Sequence, residues 1–463
     1  MGYIKWSYLA VQSLSKNKRI GLNFLSILND IKRRPEDAAE ELGVPTEEIN
    51  QIIAGEKELS FEIVNRAIEI WPLNTRDFFL INDDAPNGVK IMRSEQSEKS
   101  KRTMNRAGKP YYEYRDTAMS SIALFRPEWI EELCYVKNND PENTDAQWND
   151  GHFMHQFTYF IGDVNYYYKG PDGQKKVAVT QTGDSVYGTP FRPHTFTTRH
   201  EAIKNGLILA LTYGNKLAAD TQQELAAIGE ELGIQFHLDF SSREQAFSSL
   251  LKFYIDASSL SLLELSKRTS IPINLIEKYL TGDTQLPNID EIKKFADALN
   301  VQTRDLFPPD TIEEKVLVRN YKTSPRWFYP DSTKIYELVE LVNSKNLPDS
   351  KALELNIHSS DVNDNTLDLK MGLHQYIYNV GDTMMSFSWK YNEKLHNEKI
   401  HPGDSIYIKP FIPHNFREKG KLLILRIGSR ITGDAQREFS NLDKNDAQRA
   451  IQETQMWFNP KGK

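Results

Sequence analysis

The chain repeats itself, and this constrains its fold more than any other feature. Three sequence blocks recur in the same order and at nearly constant offset. They are residues 45–55 with 272–282, residues 183–196 with 403–416, and residues 220–224 with 434–438. Chance similarity would not preserve both order and spacing, so the sequence predicts a tandem duplication.

Composition narrows the class of protein. The chain has 463 residues, enough for two to four domains at roughly 100–200 residues each, and its formal net charge is −7. This acidic balance disfavours a protein whose main task is binding nucleic acid. The single cysteine, Cys134, excludes a disulfide framework and a cysteine-rich metal site. We find neither a signal peptide nor the ~20 apolar residues of a membrane span, so we expect a soluble, cytoplasmic protein without a membrane partner.

Each half begins with a helical part. In the first half, apolar residues recur at helix spacing around a turn centred on Gly43, which is typical of a helix-turn-helix module. These residues are Ala38, Leu42 and Ile49. A polar stretch follows at residues 86–110, and its composition predicts a linker or mobile loop.

The remainder of each half, from about residue 111 in the first, consists of short segments of alternating polarity. Residues 157–161 and 206–213 are examples, and Gly, Asp and Pro separate such segments. Short strands at even spacing predict an antiparallel barrel or jelly roll of the kind found in cupins.

We therefore predict an α+β fold that is a tandem duplication of a helix-turn-helix-like helical module plus an antiparallel β-barrel of the cupin or jelly-roll type. The predicted domains are residues 1–85 (helical module 1), 86–235 (barrel 1, catalytic and metal-binding), 236–310 (helical module 2) and 311–463 (barrel 2, degenerate and structural).

The helical modules raise the possibility of DNA binding, but their charges weigh against it. The segment that would serve as recognition helix in the first copy carries more acidic than basic residues, and the second copy is similar. The residues concerned are Glu47, Glu48 and Glu56 against Lys57, and Glu277 and Asp283 against Lys278. Contacts to phosphate require Lys and Arg. We expect the modules to serve in packing and in covering a barrel mouth, with a DNA-binding regulator that senses a small anion as the alternative.

Histidine is the best metal-ligand candidate in a chain with one cysteine. The first predicted barrel carries His152, His155, Gln156 and, after a proline-containing turn, His194. If residues 149–157 form a strand, side chains four apart share a face, so His152 and Gln156 point together and His155 points away. We therefore predict a metal site formed by His152, Gln156 and His194, and a structural role for His155.

No acidic residue completes this set. Between residues 143 and 200 the sequence contains no Glu, and its Asp residues mostly lie in turn-like contexts. Two histidines with a third ligand and open positions are typical of non-haem iron, and the side-chain oxygen of Gln156 can replace the usual carboxylate. Taken alone, these residues are equally compatible with a polar network that holds no metal.

The second copy helps to separate these alternatives. His374 and Gln375 align with His155 and Gln156, and His414 aligns with His194, but Met371 stands where the first copy has His152. The second copy thus keeps the shape and lacks a full ligand set. We predict that one half is catalytic and that the other is scaffold.

Together these motifs resemble a specific family. A tandem pair of helix-turn-helix and cupin units with the motif Gly-Asp-Ser-x-Tyr-x-x-Pro-Phe-x-Pro-His is similar to the hydroxyethylphosphonate dioxygenase and methylphosphonate synthase family, over essentially the whole chain. The resemblance implies an Fe(II) cofactor and cleavage of the carbon–carbon bond of 2-hydroxyethylphosphonate with O2. The dioxygenase branch makes hydroxymethylphosphonate and formate, and the synthase branch makes methylphosphonate and carbon dioxide.

The resemblance also favours one branch. The dioxygenase carries its carboxylate ligand six residues before the last histidine, a position that is Gly188 here. The synthase branch uses a glutamine four residues after the first histidine, which corresponds to Gln156. The resemblance therefore implies the synthase reaction, with the dioxygenase reaction as the alternative. Gly188 leaves open how the space beside the metal is filled.

The family's substrate-binding positions carry over by local motif. The resemblance implies that Lys32, Arg106, Tyr114 and Asn149 bind the phosphonate substrate, and that Lys32 and Tyr114 also act in catalysis. Lys32 begins a basic run and is also compatible with a solvated helix face. The expected partners are the substrate and O2, and we expect a homo-oligomer. The sequence does not say whether Lys32 serves its own site or a neighbouring subunit's.

Overall fold

The fold mixes helices with antiparallel sheets. We analysed a computed structural model that describes residues 14–123, 125–213, 217–310, 315–358 and 366–451. Its helices are α1 (Lys16–Asp30), α2 (Pro35–Leu42), α3 (Thr46–Ala54), α4 (Phe61–Ile70), α5 (Ser94–Lys99), α6 (Asp220–Ile228), α7 (Glu230–Gly233), α8 (Arg243–Ser258), α9 (Leu262–Thr269), α10 (Ile273–Thr281), α11 (Ile289–Leu299), α12 (Asp434–Asn441) and α13 (Lys444–Ala450). Among these described helices, none has the length and apolar character needed to cross a membrane.

The strands are short, as the alternating sequence segments predict. They are β1 (Val89–Met92), β2 (Arg102–Arg106), β3 (Lys109–Asp116), β4 (Glu128–Glu132), β5 (Tyr135–Val136), β6 (His155–Ile161), β7 (Val164–Lys169), β8 (Lys175–Thr180), β9 (Ser185–Gly188), β10 (His194–Arg199), β11 (Gly206–Tyr213), β12 (Val316–Arg319), β13 (Arg326–Tyr329), β14 (Tyr336–Glu340), β15 (Ser350–Ile357), β16 (His374–Asn379), β17 (Met385–Tyr391), β18 (Lys394–Ile400), β19 (Ser405–Ile408), β20 (His414–Arg417) and β21 (Gly420–Ile427).

One compact unit comprises Ser94–Thr117 and Phe125–Asn356. It contains a sheet in the order β12-β9-β6-β11-β4-β3-β2 and a second sheet in the order β5-β10-β7-β8. The two sheets share an apolar core: Ile130, Phe160 and Ile208 of the first sheet cluster with Tyr166 and Phe196 of the second. The side chains that meet between these sheets are therefore the ones available to form an internal site.

The other compact unit comprises Met1–Arg93, Ala118–Leu124 and Ile357–Lys463. Within it, β1, β19, β16 and β21 lie in that order, and β18, β17 and β20 form a separate sheet. Each unit therefore combines one helical segment with strands from a different part of the chain. The first helical segment (α1 to α4) belongs to this second unit, and the second helical segment (α8 to α11) belongs to the unit described before it. The four domain ranges proposed from the sequence stay a prediction.

The two helical segments have separate cores of their own. In the first, α1 to α4 bury Phe24, Leu28 and Ile49 completely. In the second, α8 to α11 bury Leu251 and Phe295 in the same way. The apolar spacing predicted a helix pair around a glycine turn, and the structure has it: Gly43 follows α2 in the left-handed conformation with φ of 64°.

The polar stretch at residues 86–110 is not a loop, so that prediction was wrong. It contains β1, α5 and β2. Strand β1 pairs antiparallel with β19, with Val89 opposite Ile408, and β2 pairs with β3. The stretch has few apolar residues because most of its side chains are at least partly exposed, and its backbone is ordered by strand pairing instead.

Two glycines of the first helical segment allow a matched test of backbone strain against steric clash. Both have positive φ, 64° at Gly43 and 79° at Gly55. A Cβ at Gly43 would meet only the end of the Arg66 side chain at 3.6 Å, whereas one at Gly55 would lie 2.6 Å from Cα of Lys18. We expect Gly43→Ala to cost about 1–2 kcal/mol of local stability and Gly55→Ala clearly more. Hydrogen exchange of peptides from residues 16–78 measures both, and equal protection in the two variants would contradict the steric argument.

Candidate metal centre

His152 and Gln156 meet, although not for the reason the sequence suggested. The sequence argument assumed a strand through residues 149–157, but β6 begins only at His155. His152 lies in the irregular segment before it, where a bend still turns the ring towards Gln156. The two side chains approach with His152 Nε2 2.8 Å from Gln156 Oε1.

His194 is the first residue of β10, in the facing sheet. Its ring lies 5.4 Å from the ring of His152, at an angle of 82°. Asn149 holds the segment before β6 against this strand, because its Oδ1 accepts from the backbone N–H of His194 at 3.0 Å. Asn149 Nδ2 also lies 3.2 Å from His194 Nε2. The structure thus brings three of the predicted residues and Asn149 into one place.

Backbone carbonyls fix the tautomers of both rings. His152 Nδ1 lies 2.8 Å from the carbonyl oxygen of Met154, and His194 Nδ1 lies 2.8 Å from that of Arg192. A carbonyl can only accept, so each Nδ1 carries a proton, and in the neutral form of each ring Nε2 presents a lone pair. Burial lowers the pKa of His194 to about 4, so that ring is neutral at neutral pH.

The amide of Gln156 is oriented to the same end. Its Nε2 donates to Thr158 Oγ1 at 2.8 Å, which leaves Oε1 to face His152. A carbonyl oxygen and an imidazole lone pair therefore face each other at close range. When the His152 ring is neutral with its proton on Nδ1, a shared cation would stabilise this arrangement, and the donor set therefore fits a divalent metal ion.

Gly188 lies directly opposite Gln156 in the ladder between β9 and β6. Paired residues across a ladder have Cβ positions about 4.5–5.5 Å apart, so a side chain at this position would stand beside the Gln156 amide. A Cβ built on Gly188 would meet only the Tyr166 hydroxyl, at 3.7 Å. Gly188 therefore leaves space beside the Gln156 amide that a side chain at this position would occupy.

His155 is held away from this set. Its Nδ1 lies 2.6 Å from the hydroxyl of Tyr187, and the two rings stack at 16°. The second copy repeats the pair: His374 Nδ1 lies 2.8 Å from the hydroxyl of Tyr407, with the rings at 21°. Because the copy that lacks a counterpart of His152 keeps this pair, the pair serves the fold.

The second copy preserves the geometry of the last histidine without its neighbours. His414 Nδ1 lies 2.8 Å from the carbonyl of Ile412, just as His194 Nδ1 does from that of Arg192. Within the residues that the structure describes, His414 Nε2 and Gln375 Oε1 are buried and have no hydrogen-bond partner. In the same described ranges, no cluster of three or more His, Cys, Asp or Glu is arranged to hold a metal.

Arg106 reaches the strand that carries His194. Its Nη1 donates to the carbonyl of Gln147 and, at 3.3 Å, to Thr195 Oγ1. The guanidinium lies over the ring of Tyr112, 4.6 Å from its centroid. Its positive charge contributes to the lowered pKa of His194. Arg106 is therefore close enough to the metal candidates for its charge to act on them.

Tyr114 lies on the same strand as Tyr112, with its ring edge-on to Tyr112 at 5.9 Å. Burial raises the pKa of Tyr114 to about 12, which keeps its hydroxyl neutral. Lys32 belongs to the other compact unit. Its backbone is left-handed with φ of 60°, and its Nζ donates to the carbonyl of Asp30.

Sequence reasoning missed the threonine and tyrosine network behind Arg106. Thr195 Oγ1 lies 3.0 Å from both the Tyr111 and the Tyr112 hydroxyls. The Tyr112 hydroxyl also accepts from the backbone N–H of Phe196 at 3.0 Å. These contacts depend on which strands face each other, so local spacing carries no signal for them. The only available hint was the unusual density of tyrosine at residues 111–114.

Sequence reasoning also missed Glu132, the last residue of β4. Its side chain is completely buried, and among the described residues neither carboxyl oxygen has a hydrogen-bond partner. Burial raises the pKa of the Glu132 carboxyl well above its usual range, against the opposing charge of Arg106. Burial therefore favours the neutral form of this carboxyl, in which it does not compensate the charge of Arg106.

Glu132→Gln should make the protein more resistant to alkaline pH. An acid whose pKa is raised by folding contributes stability below its unfolded pKa, and this stability is lost as the pH rises towards the folded value. We expect the melting temperature of the variant to exceed that of the parent increasingly between pH 5 and 9, by roughly 2–4 °C for each kcal/mol. Glu131→Gln is the control, because Glu131 is only partly buried and accepts from Asn205 at 2.8 Å. Parallel curves for Glu132→Gln and the parent would contradict the assignment.

Comparison with known proteins identifies relatives along the whole chain. Methylphosphonate synthase of Nitrosopumilus maritimus (strain SCM1) is 56% identical over 444 residues, which is 96% of this chain and 96% of that protein. HEPD from Streptomyces albus, solved with 2-hydroxyethylphosphonate and Fe(II) bound, is 33% identical with a TM-score of 0.87, covering 96% of this chain and 99% of the other. A variant of 2-hydroxyethylphosphonate dioxygenase has a TM-score of 0.73 at 17% identity, over 92% and 99% of the two chains, which speaks for the fold alone.

The second helical segment matches a family of its own. Residues 250–310 fit the model of the Cro/C1-type HTH DNA-binding domain. The match includes α9 and α10, which follow each other along the chain. It shows the likeness of this segment to a helix-turn-helix module.

Proposed function

Since this chain belongs to the family of methylphosphonate synthase and hydroxyethylphosphonate dioxygenase, we propose that its own His152, Gln156 and His194 hold Fe(II) and act on 2-hydroxyethylphosphonate. The enzyme is a non-haem Fe(II) oxygenase that converts this substrate into methylphosphonate and carbon dioxide. The observation that carries the choice of product is the neutral donor set, in which Gln156 contacts His152 and lies opposite Gly188, a residue without a side chain.

A neutral donor set has an electrostatic consequence for substrate binding. Two imidazoles and a carboxamide leave the full charge of a divalent cation uncompensated, whereas a carboxylate ligand would cancel half of it. A phosphonate, largely dianionic near neutral pH, provides that compensation itself. The proposed site therefore favours an anionic substrate more strongly than a site with a carboxylate would.

The chain's own residues bind and orient the phosphonate. Arg106 presents a guanidinium that is positioned by Gln147 and Thr195 and lies over an aromatic ring, so its remaining donors suit a charged oxygen. Asn149 fixes the orientation of His194, and its amide lies on the same side of that ring as Nε2. We assign Lys32 to the phosphonate as well, and Tyr114 to both binding and catalysis, as a neutral hydroxyl that donates a hydrogen bond.

Fe(II), when bound, supplies the redox chemistry that couples O2 to oxidation of the substrate. Two of the side chains near it are neutral: the His194 ring has its pKa lowered by burial, and Tyr114 has its pKa raised. Buried apolar and aromatic residues between the two sheets, such as Phe160 and Phe196, exclude bulk water from this region. The protein therefore contributes binding, orientation and a surrounding from which bulk water is excluded.

The finer features of the fold belong to the same proposal. We assign the two halves to tandem helix-turn-helix-like modules and cupin-type barrels, supported by the repeated blocks and by the antiparallel sheets. Dioxygen as co-substrate, a homo-oligomeric state and a cytoplasmic location are further parts of it.

A DNA-binding role for the helical segments is the second candidate, because residues 250–310 match a DNA-binding domain. The exposed charges of α10 are Glu277 and Lys278, which cancel. In α3, Glu47 is exposed, and Glu48 is paired with Lys57 at 2.6 Å. Phosphate binding requires an excess of basic residues on such a face. We therefore assign the segments to packing.

The product of the reaction distinguishes the two branches of the family. Anaerobically prepared Fe(II) protein, mixed with 2-hydroxyethylphosphonate and then with O2, should give methylphosphonate as its main phosphorus NMR signal. The same sample without O2 serves as control and should retain the substrate. Hydroxymethylphosphonate as the main product would contradict the proposed function.

The metal ligands can be tested without turnover. We expect His152→Ala and Gln156→Ala to lower iron affinity by at least about 10-fold, because each removes a proposed donor. His155→Ala is the matched control: it lies one residue from Gln156 but contacts Tyr187, so it should keep its iron and lose thermal stability. Iron content after dialysis against graded chelator measures the difference. Equal iron loss in all three variants would show that the faces of β6 are reversed.

A further inference from the structure

Tyr166 lies beside the candidate metal centre and is the first of three consecutive tyrosines in β7. It pairs with Phe196 across the ladder between β7 and β10. Its ring stacks on Phe196 at 4.9 Å and lies 6.2 Å from the ring of His194. The ring is buried, so its position is fixed by packing.

The hydroxyl of Tyr166 extends towards the facing sheet. Among the described residues, apart from the chain neighbours of Gly188, it alone lies within 4 Å of a Cβ built on Gly188, at 3.7 Å. Gly188 is the ladder partner of Gln156. The ring of Tyr166 thus borders His194, and its hydroxyl borders the space beside Gln156, so the side chain crosses the gap between two of the proposed ligands.

This hydroxyl has no hydrogen-bond partner among the residues that the structure describes, unlike that of Tyr167 on the opposite face of the strand, which accepts from Asn165 at 3.2 Å. Among the described residues, this oxygen is also absent from the buried atoms that lack a partner, so it keeps some accessible surface. Its hydrogen-bonding capacity is therefore open to a molecule that occupies the space beside Gln156.

The second copy shows that the fold does not need the hydroxyl. There Phe387 pairs with Phe416 and stacks on it at 4.9 Å, and it lies 6.2 Å from the ring of His414. These two distances equal those around Tyr166. The counterpart of Gly188 in that copy is Ile408, which is opposite Gln375. The copy without a full ligand set thus lacks both the hydroxyl and the open space.

We propose that Tyr166 is a further substrate-binding residue, whose hydroxyl donates a hydrogen bond to an oxygen of the substrate in the space left by Gly188. This inference rests on the proposed function, because it takes 2-hydroxyethylphosphonate as the ligand. The neutral phenol suits the role, since a donor to an anionic oxygen forms a strong hydrogen bond without adding charge. Tyr168, which pairs with His194, supports the ring of Tyr166 by stacking at 5.2 Å.

The test compares Tyr166→Phe with Tyr167→Phe in the full chain loaded with Fe(II) under anaerobic conditions. Titration calorimetry with 2-hydroxyethylphosphonate should show binding about 10-fold weaker for Tyr166→Phe, the effect of one lost hydrogen bond to a charged group. Its melting temperature should be unchanged or higher, because the chain loses no hydrogen bond. Tyr167→Phe should bind the substrate as the parent does and melt at a lower temperature.

The outcomes separate this inference from the proposed function. If the parent protein binds 2-hydroxyethylphosphonate and Tyr166→Phe binds it equally well, the inference is wrong and the function stands. If Tyr166→Phe binds more weakly but also melts at a lower temperature, the hydroxyl has a structural partner and the inference is overturned as well. If the parent itself does not bind the substrate, both fail.

Discussion

The orientation of two imidazole rings by backbone carbonyls is the constraint on which the proposed site depends. Because Met154 and Arg192 accept from the Nδ1 atoms of His152 and His194, both Nε2 lone pairs are turned inwards. The amide of Gln156, oriented by Thr158, adds a third acceptor. Nothing in this arrangement requires a charged side chain, so the balance of charge passes to what binds there. The affinity for an anion and the affinity for the metal are therefore coupled.

The duplication provides an internal comparison that a single domain would not. Both copies keep the His–Tyr pair and the carbonyl that orients the last histidine. They differ at three positions in and beside the ligand set. His152 corresponds to Met371, Tyr166 to Phe387, and Gly188 to Ile408. Common features therefore belong to the fold, and the differences mark the site. The second copy fills with apolar side chains the space that the first leaves for a ligand.

The sequence predicted the repeat, the mixed helix and sheet fold, and the convergence of His152 with Gln156. It explained this convergence by a strand through residues 149–157, whereas β6 begins only at His155. The irregular segment before β6 has the same polarity pattern as a strand, and this caused the error. It missed Thr195, Glu132 and Tyr166 because their contacts run across ladders and between sheets, and register is not written in local spacing. For Tyr166, the alignment of the two copies did contain a signal. The copy with the full ligand set has a tyrosine at this position, and the copy without it has Phe387.

The pairing of β1 with β19 has a consequence for synthesis of the chain. Val89 leaves the ribosome long before its partner Ile408 is made, with roughly half a minute between them at typical bacterial and eukaryotic rates. All residues of the unit that carries His152 and His194 are translated in that interval. The unit with the proposed chemistry can therefore complete its sheets first. Strand β1 can pair with β19 only after β19, in the last quarter of the chain, has been synthesised.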